Sequence, residues 1–161
     1  MFTNKRYAQA LVAFQRAGRS QKAAICHAFL LRETARAVPD NQVNERAGAF
    51  GEAGEAFSTC ANASQTRARL VYYKNGAECF AQGGRLREAG DCFVHAEEYS
   101  KAARAYREGA HFDEMVKVLE EHKHQIEASL LAQLTKVAQM NYFKVSRSSI
   151  MRARMSEIVY P

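Results

Sequence analysis

The sequence has no tryptophan, only two prolines and little valine or isoleucine. Apart from Pro39 and Pro161, every residue keeps its backbone donor, so almost the whole chain is free to run as helix. Valine and isoleucine together number 14, against 28 alanines. β-Branched residues favour strands and alanine is the best helix former, so this balance excludes a β-rich fold and predicts an all-α one. No apolar run approaches the roughly 20 residues of a membrane span. The start, Met1 to Arg6, lacks the apolar stretch of a signal peptide. The four cysteines, Cys26, Cys60, Cys79 and Cys92, form no CxxC pair, which argues against a zinc site and a disulfide scaffold. Cys79 and Cys92, each followed by Phe, read as small buried hydrophobes, and the expected setting is reducing and intracellular, cytoplasm or nucleus.

What is present suits one domain. The 161 residues are 47% apolar, enough for a core, and the 25% charged residues mix both signs, which argues against disorder. The net charge of +6 is uneven. Residues 1–75 carry 11 basic and 5 acidic side chains, residues 76–124 carry 7 and 10, and residues 125–161 carry 5 and 2. Basic ends of this kind suit an acidic partner or a nucleic-acid backbone, although a solvated helical surface is the simpler reading.

One pattern recurs every 13 residues: a large apolar residue, a small one three later, a large one four after that, and a small one three later. It reads Tyr73, Gly76, Phe80, Gly83, then Leu86, Ala89, Phe93, Ala96, then Tyr99, Ala102, Tyr106, Gly109. A last, degenerate copy reads Phe112, Met115, Leu119, His122. Offsets 0, 3, 7 and 10 share one face of a 3.6-residue helix. Thirteen residues accommodate about ten helical residues and a three-residue turn, and such short turns force antiparallel helical hairpins. The turns are predicted near Gly83-Gly84, Glu97-Glu98, Gly109-Ala110 and Lys123, with glycine serving the left-handed position at the first and third. Lys101 and Arg104 are expected on the outer face.

The N-terminal part repeats the pattern at wider spacing, as Tyr7, Ala10, Phe14, Ala17 and as Phe50, Ala53, Phe57, Cys60. Long helices are predicted over about Gln21 to Ala37, from near Asp40 or Asn41, and over Ser64 to Gln82 with Ser64 as N-cap. Two more are predicted over Gln125 to Gln139 and Ser146 to Ile158, with Ile126, Leu130, Leu134, Val137 and Ala138 on the apolar face of the first. The whole, residues 1–161, is expected to be a single α-helical repeat domain: an α-solenoid of eight or nine helices, with wider hairpins over 1–72, 13-residue repeats over 73–122 and C-terminal helices over 125–158. The rings of Tyr7, Phe14, Phe50, Phe57, Phe80, Phe93 and Tyr106, with Leu119, are its predicted core.

The strings Tyr7-Ala8-Gln9-Ala10 with Phe14-Gln15-Arg16-Ala17, and Gly84-Arg85-Leu86-Arg87-Glu88-Ala89 with Phe93, resemble tetratricopeptide repeats, without their 34-residue spacing or their tryptophan. Longer strings carry a closer resemblance: Leu31-Arg32-Glu33-Thr34-Ala35-Arg36, Tyr72-Tyr73 through Glu78-Cys79-Phe80, Ala96-Glu97-Glu98-Tyr99 with Ala102-Ala103 and Tyr106-Arg107, then Phe112-Asp113-Glu114. Over most of residues 1–125 they are similar to the helical region of large fungal proteins of the TPR and ankyrin repeat-containing protein 1 type. The resemblance implies kinship with proteins that also carry a superfamily 1 helicase module of the UvrD/Rep type. Their ATPase chemistry is not implied for this chain, because it contains no G-x-x-x-x-G-K-[ST] string to cradle phosphates.

No other constellation points to catalysis. His111, His122 and His124 with Glu120 and Glu121 lack ligand spacing, since His122 and His124 diverge on a helix. Glu97 and Glu98 are adjacent and diverge too, which suits a helix N-terminus better than an acid/base pair. Cys26 and His27 likewise do not face each other. No cofactor, metal or catalytic residue is expected. Tyr73, Tyr99 and Tyr106 fall on the repeat face. Tyr72 stands one residue off it and is expected to project outward beside Arg67, Arg69 and Lys74, the best nucleic-acid candidate. The function expected is a non-catalytic scaffold for protein–protein interaction, with an unidentified partner. The alternative is a nucleic-acid-contacting accessory domain of a helicase.

Overall fold

The computed structural model describes the backbone of residues 2–159 and the side chains of residues 5–145. The described residues form eight α-helices and no strand. They are α1 (Phe2–Arg16), α2 (Ser20–Ala37), α3 (Val43–Ala63), α4 (Ala68–Gln82), α5 (Leu86–His95), α6 (Tyr99–Glu108), α7 (Phe112–Glu121) and α8 (Ala128–Val159), with a 3-10 turn at Lys123–Gln125 before the last. Each helix packs chiefly on the helices before and after it in sequence.

The 13-residue period is realised directly. Helices α5, α6 and α7 begin at Leu86, Tyr99 and Phe112 and are ten residues each. One turn geometry joins them. The residues with positive φ are Gly84 (73°), Glu97 (61°) and Ala110 (58°), again thirteen apart. The N–H of Arg85 bonds to the carbonyl of Phe80, that of Glu98 to Phe93 and that of His111 to Tyr106, while Gly84, Glu97 and Ala110 bond back three residues. This is the Schellman closure, which satisfies the orphan carbonyls of a helix end. Arg85, Glu98 and His111 are at the same time the N-caps of the next helices. Sharing that residue is what keeps each connection to three residues. Gly18 (66°) and Arg19 make the same turn between α1 and α2.

The third turn departs from expectation. Its left-handed residue is Ala110, not Gly109. A Cβ on Gly109 would lie 2.9 Å from the Leu86 Cβ and 2.7 Å from the His111 ring, so close approach fixes the glycine one position earlier.

The core forms two clusters that meet on α4. The N-terminal one gathers Ala28, Ala35, Phe50, Ala53, Phe57, Cys60 and Cys79. The C-terminal one runs from Ala77 and Phe80 through Phe93, Tyr106, Met115 and Leu119 to Leu134. Six of the eight predicted core residues are buried; Tyr7 and Phe14 are half-buried. Both belong to α1, which packs chiefly against α2, so each ring is only partly covered; Tyr7 stacks on Phe29 at 5.2 Å. The ring at offset 7 seats on the helix before it at offset 4, where the residue is small. Phe80 lies against Gly54, where a Cβ would come within 2.7 Å of the ring, and Tyr106 lies against Gly90 in the same way. Ala77 and Ala103, at the equivalent positions, are fully buried.

Further boundaries differ from the sequence reading. Helix α3 starts at Val43, because Pro39 to Gln42 close a turn through the Gln42 N–H and the Pro39 carbonyl. Ser64 is not an N-cap: it ends α3, its N–H bonding to the Ala61 carbonyl and its hydroxyl meeting that of Thr66, and α4 begins at Ala68. The two predicted C-terminal helices are one, Ala128–Val159. The intervening Met140-Asn141-Tyr142-Phe143-Lys144-Val145 contains no glycine or proline, so nothing stops the helix there. Lys101 keeps an exposed side chain, its ammonium 3.4 Å from Glu98 and 5.8 Å from the Phe93 ring centroid, and Arg104 is exposed as well.

Candidate interaction surfaces

The four residues singled out for nucleic acid do not form one patch. Arg67, just ahead of α4, and Arg69 in its first turn are both exposed. Tyr72 is half-buried and packs against the N-terminal core, so its ring does not project into solvent. It walls a cavity of about 510 Å³ with Gln21, Lys22, Ile25, Ser64 and Thr66, a mixed polar and apolar lining. Lys74 sits two residues on from Tyr72, well round the helix. Its ammonium is 2.9 Å from Glu98, which raises the lysine pKa and holds the carboxyl below the usual range.

A second groove, about 340 Å³, lies over α6 between α5 and α7. Two of its three acids are engaged. The Tyr106 hydroxyl donates to Asp91 Oδ1 at 2.6 Å, and Glu114 meets Arg87 at 2.8 Å. Burial first, and then this bond, push the Tyr106 phenol pKa well up, so it stays a donor at any ordinary pH.

The third groove, about 420 Å³, opens between α7 and α8 and is predominantly apolar, with Val116, Leu119, Leu131, Ala138 and Tyr142 along it and Glu120 and Lys123 at its rim. Leu130 and Leu134 of α8 are buried against the repeat, whereas Met140 and residues 142–145 are exposed. Met140 is 55% exposed, Tyr142 78% and Phe143 75%. The sequence reading missed these rings. The signal for them is that they fall after the last 13-residue copy, where no following helix continues the register.

The remaining candidates are structural. His122 stacks on Tyr99 at 3.7 Å, and among the described residues no three His, Cys, Asp or Glu side chains gather as metal ligands. Burial pushes the thiols of Cys60 and Cys92 up, and that of Cys79 up to about 11, which keeps them protonated and poor nucleophiles. No helix among the described residues is long and apolar enough to cross a membrane. Compared with family models, curated proteins and solved structures, the chain matches none.

Proposed function

We propose that this protein is a non-catalytic, tetratricopeptide-like α-solenoid that serves as a scaffold for protein–protein interaction. The repeat supports the solenoid: neighbour packs on neighbour, and ion pairs tie helices two apart, Lys74 of α4 to Glu98 at the head of α6 and Arg87 of α5 to Glu114 of α7. The observation that carries the binding role is the pair of exposed rings, Tyr142 and Phe143, beside the apolar α7–α8 groove. Contiguous exposed apolar surface of this kind marks interaction sites, and aromatic anchors dominate their energetics. Affinity capture with the wild-type chain and with a Tyr142→Asp/Phe143→Asp variant tests it. Protein retained by the first and lost from the second is expected; equal retention by both would overturn the role of this surface.

A second reading, a nucleic-acid-contacting accessory domain of a superfamily 1 helicase, draws on exposed Arg67 and Arg69 near the cavity holding Lys22. Fluorescence anisotropy with labelled single strands at low salt tests it, with binding expected to fall steeply as salt rises and with Arg67→Glu/Arg69→Glu. Absence of binding at low salt removes it. Either reading places the chain in or beside a larger helicase-containing protein, and an adjoining phosphate-loop motor in the flanking gene sequence is the expected finding.

A further inference from the structure

We infer that two joined cavities, where α2 starts and α3 gives way to α4, form a seat for single-stranded nucleic acid, with a base against Tyr72 and a phosphate at Lys22. The inference rests on the second reading above and names the residues that make the contact. None of them belongs to the α7–α8 groove. Three observations carry it.

The first is the track. The cavity of about 510 Å³ walled by Tyr72 shares Gln21 and Ala63 with a neighbouring cavity of about 340 Å³, which Ser20, Thr59 and Cys60 help to line. The shared pair is joined by a bond from the Gln21 side-chain amide to the Ala63 carbonyl at 3.3 Å. Each cavity lies in the size range of small-ligand sites, and two side by side fit successive units of a chain.

The second is charge. Every residue lining the two cavities falls within residues 1–32 or 56–77, and neither stretch contains an aspartate or a glutamate. The last acid of α3 before the second stretch, Glu55, is paired with Arg85. Lys22 lines the larger cavity, and Arg19, Arg67 and Arg69 adjoin its lining residues in sequence. All four are exposed, and none of them makes an ion pair among the described residues. Cations with no acid between them set up a positive field that attracts a polyanion.

The third is the lining. Tyr72 packs on the N-terminal core and also walls the larger cavity beside Ile25, so its ring is backed and held. Stacking on such a ring accepts any base, because every base has a π face. Ser64, 8% exposed, is the one buried serine, threonine, amide or charged side chain among the described residues, and it lines the same cavity. Its hydroxyl meets that of Thr66 at 3.2 Å. Two hydroxyls bring two protons and this bond uses one, so one O–H is left to donate to a phosphate or base oxygen. A phosphorylated peptide would use the cations and leave the ring wall idle; a nucleotide uses both.

Fluorescence anisotropy on the full chain, with a labelled single strand of about 12 nucleotides at about 50 mM salt, tests this. Binding is expected. Tyr72→Leu, which keeps an apolar side chain against the core, should weaken it roughly 10-fold with helicity by circular dichroism unchanged. Lys22→Gln should lower the slope of log affinity against log salt by about 0.7, the share of one phosphate contact. The exposed Arg104 serves as control, and Arg104→Gln should change nothing. The chain has no tryptophan, so Tyr72→Trp places a single indole at the seat; it should bind as the wild type does, with its fluorescence quenched by the strand. Equal binding by wild type, Tyr72→Leu and Lys22→Gln, or an unquenched indole, overturns the seat while leaving the nucleic-acid reading standing. Absence of binding at low salt overturns both. A mononucleotide that competes as well as the strand, nucleotide for nucleotide, overturns the strand in favour of a free ligand. A phosphoserine peptide that binds more tightly overturns it in favour of a protein.

Discussion

Helix α3 has 21 residues and buries seven of them; α5, α6 and α7 have ten each and bury four, four and three. Burial per residue is much the same, but it is reached differently. Helix α3 is sandwiched by α2 and α4, and Gly54 lets the Phe80 ring of α4 come close. Polar pins hold the long helices: Arg32 bonds to Asn75 at 2.5 Å across from α2 to α4, pairs with Glu33, and lies over the Phe29 and Phe57 rings. The short helices carry polar pins too, Tyr106 to Asp91, Lys74 to Glu98 and Arg87 to Glu114. Each also repeats one burial pattern and one turn, so an apolar contact made once is made again 13 residues later. A strict period thus adds to the individually placed interactions.

Breaking the long-helix region at its centre should have the largest effect. Phe57 is fully buried and meets Phe29 edge-on, so Phe57→Ala should cost about 3–5 kcal/mol in a urea melt. Phe93→Ala should fall in the same range of about 3–5 kcal/mol, since Phe93 is 6% exposed; a value near zero for either would show that its cluster does not hold the fold. Next comes the close approach in the repeat. Ala102 is fully buried, and Ala102→Leu keeps helix propensity while overpacking the site, at a cost of about 1–3 kcal/mol. The control is the exposed Arg104, where leucine should change stability by under about 0.5 kcal/mol. Equal melts for the two would dissolve the distinction between the regions.

Smaller effects sharpen the comparison at the turns. Ala110 adopts a left-handed conformation that is free only to glycine, so Ala110→Gly should stabilise the protein by about 0.5–1 kcal/mol, after the added chain entropy of glycine is subtracted. Gly84→Ala should do the reverse; if the pair of melts shifts the same way, the shared turn is not what closes these helices. The least effect concerns pH. Glu98 is held below the ordinary glutamate range, first by the bond from Lys74, and Glu88 is lowered too, first by its own backbone N–H. Lowered folded-state values mean stability fully present above the unfolded glutamate pKa of about 4.3 and lost as pH falls through the folded value. Glu98→Gln should flatten the acid limb of a stability–pH curve slightly, and an unchanged limb would show that the pair is solvated.

The all-helical fold and the repeat were legible because offsets 0, 3, 7 and 10 recur with little interruption, and periodicity of burial is the strongest signal a sequence holds. The errors lie where two physical demands compete for one residue. Ser64 has the hydroxyl of an N-cap, but its backbone N–H closes the end of α3 and the hydroxyl meets Thr66 instead. Gly109 satisfies either a left-handed turn or a close contact with Leu86, and the contact claimed it. The nucleic-acid candidates are divided for a related reason: two residues' separation on α4 carries Tyr72 to the core side and Lys74 to Glu98. The exposed rings of α8 were invisible as a site, since a pattern search finds what repeats and these do not.

The three-residue turn has a consequence for how such a chain can lengthen. Each 13-residue unit ends by sending the backbone back the way it came. Adding or removing one unit therefore reverses the heading of everything downstream, while adding or removing two restores it. Excision of residues 86–98 would make α8 depart from the opposite edge of the molecule, whereas excision of residues 86–111 would leave its exit edge where it was. The smallest segment that this protein can duplicate without redirecting its tail is thus a pair of helices, even though the smallest segment that repeats in its sequence is one.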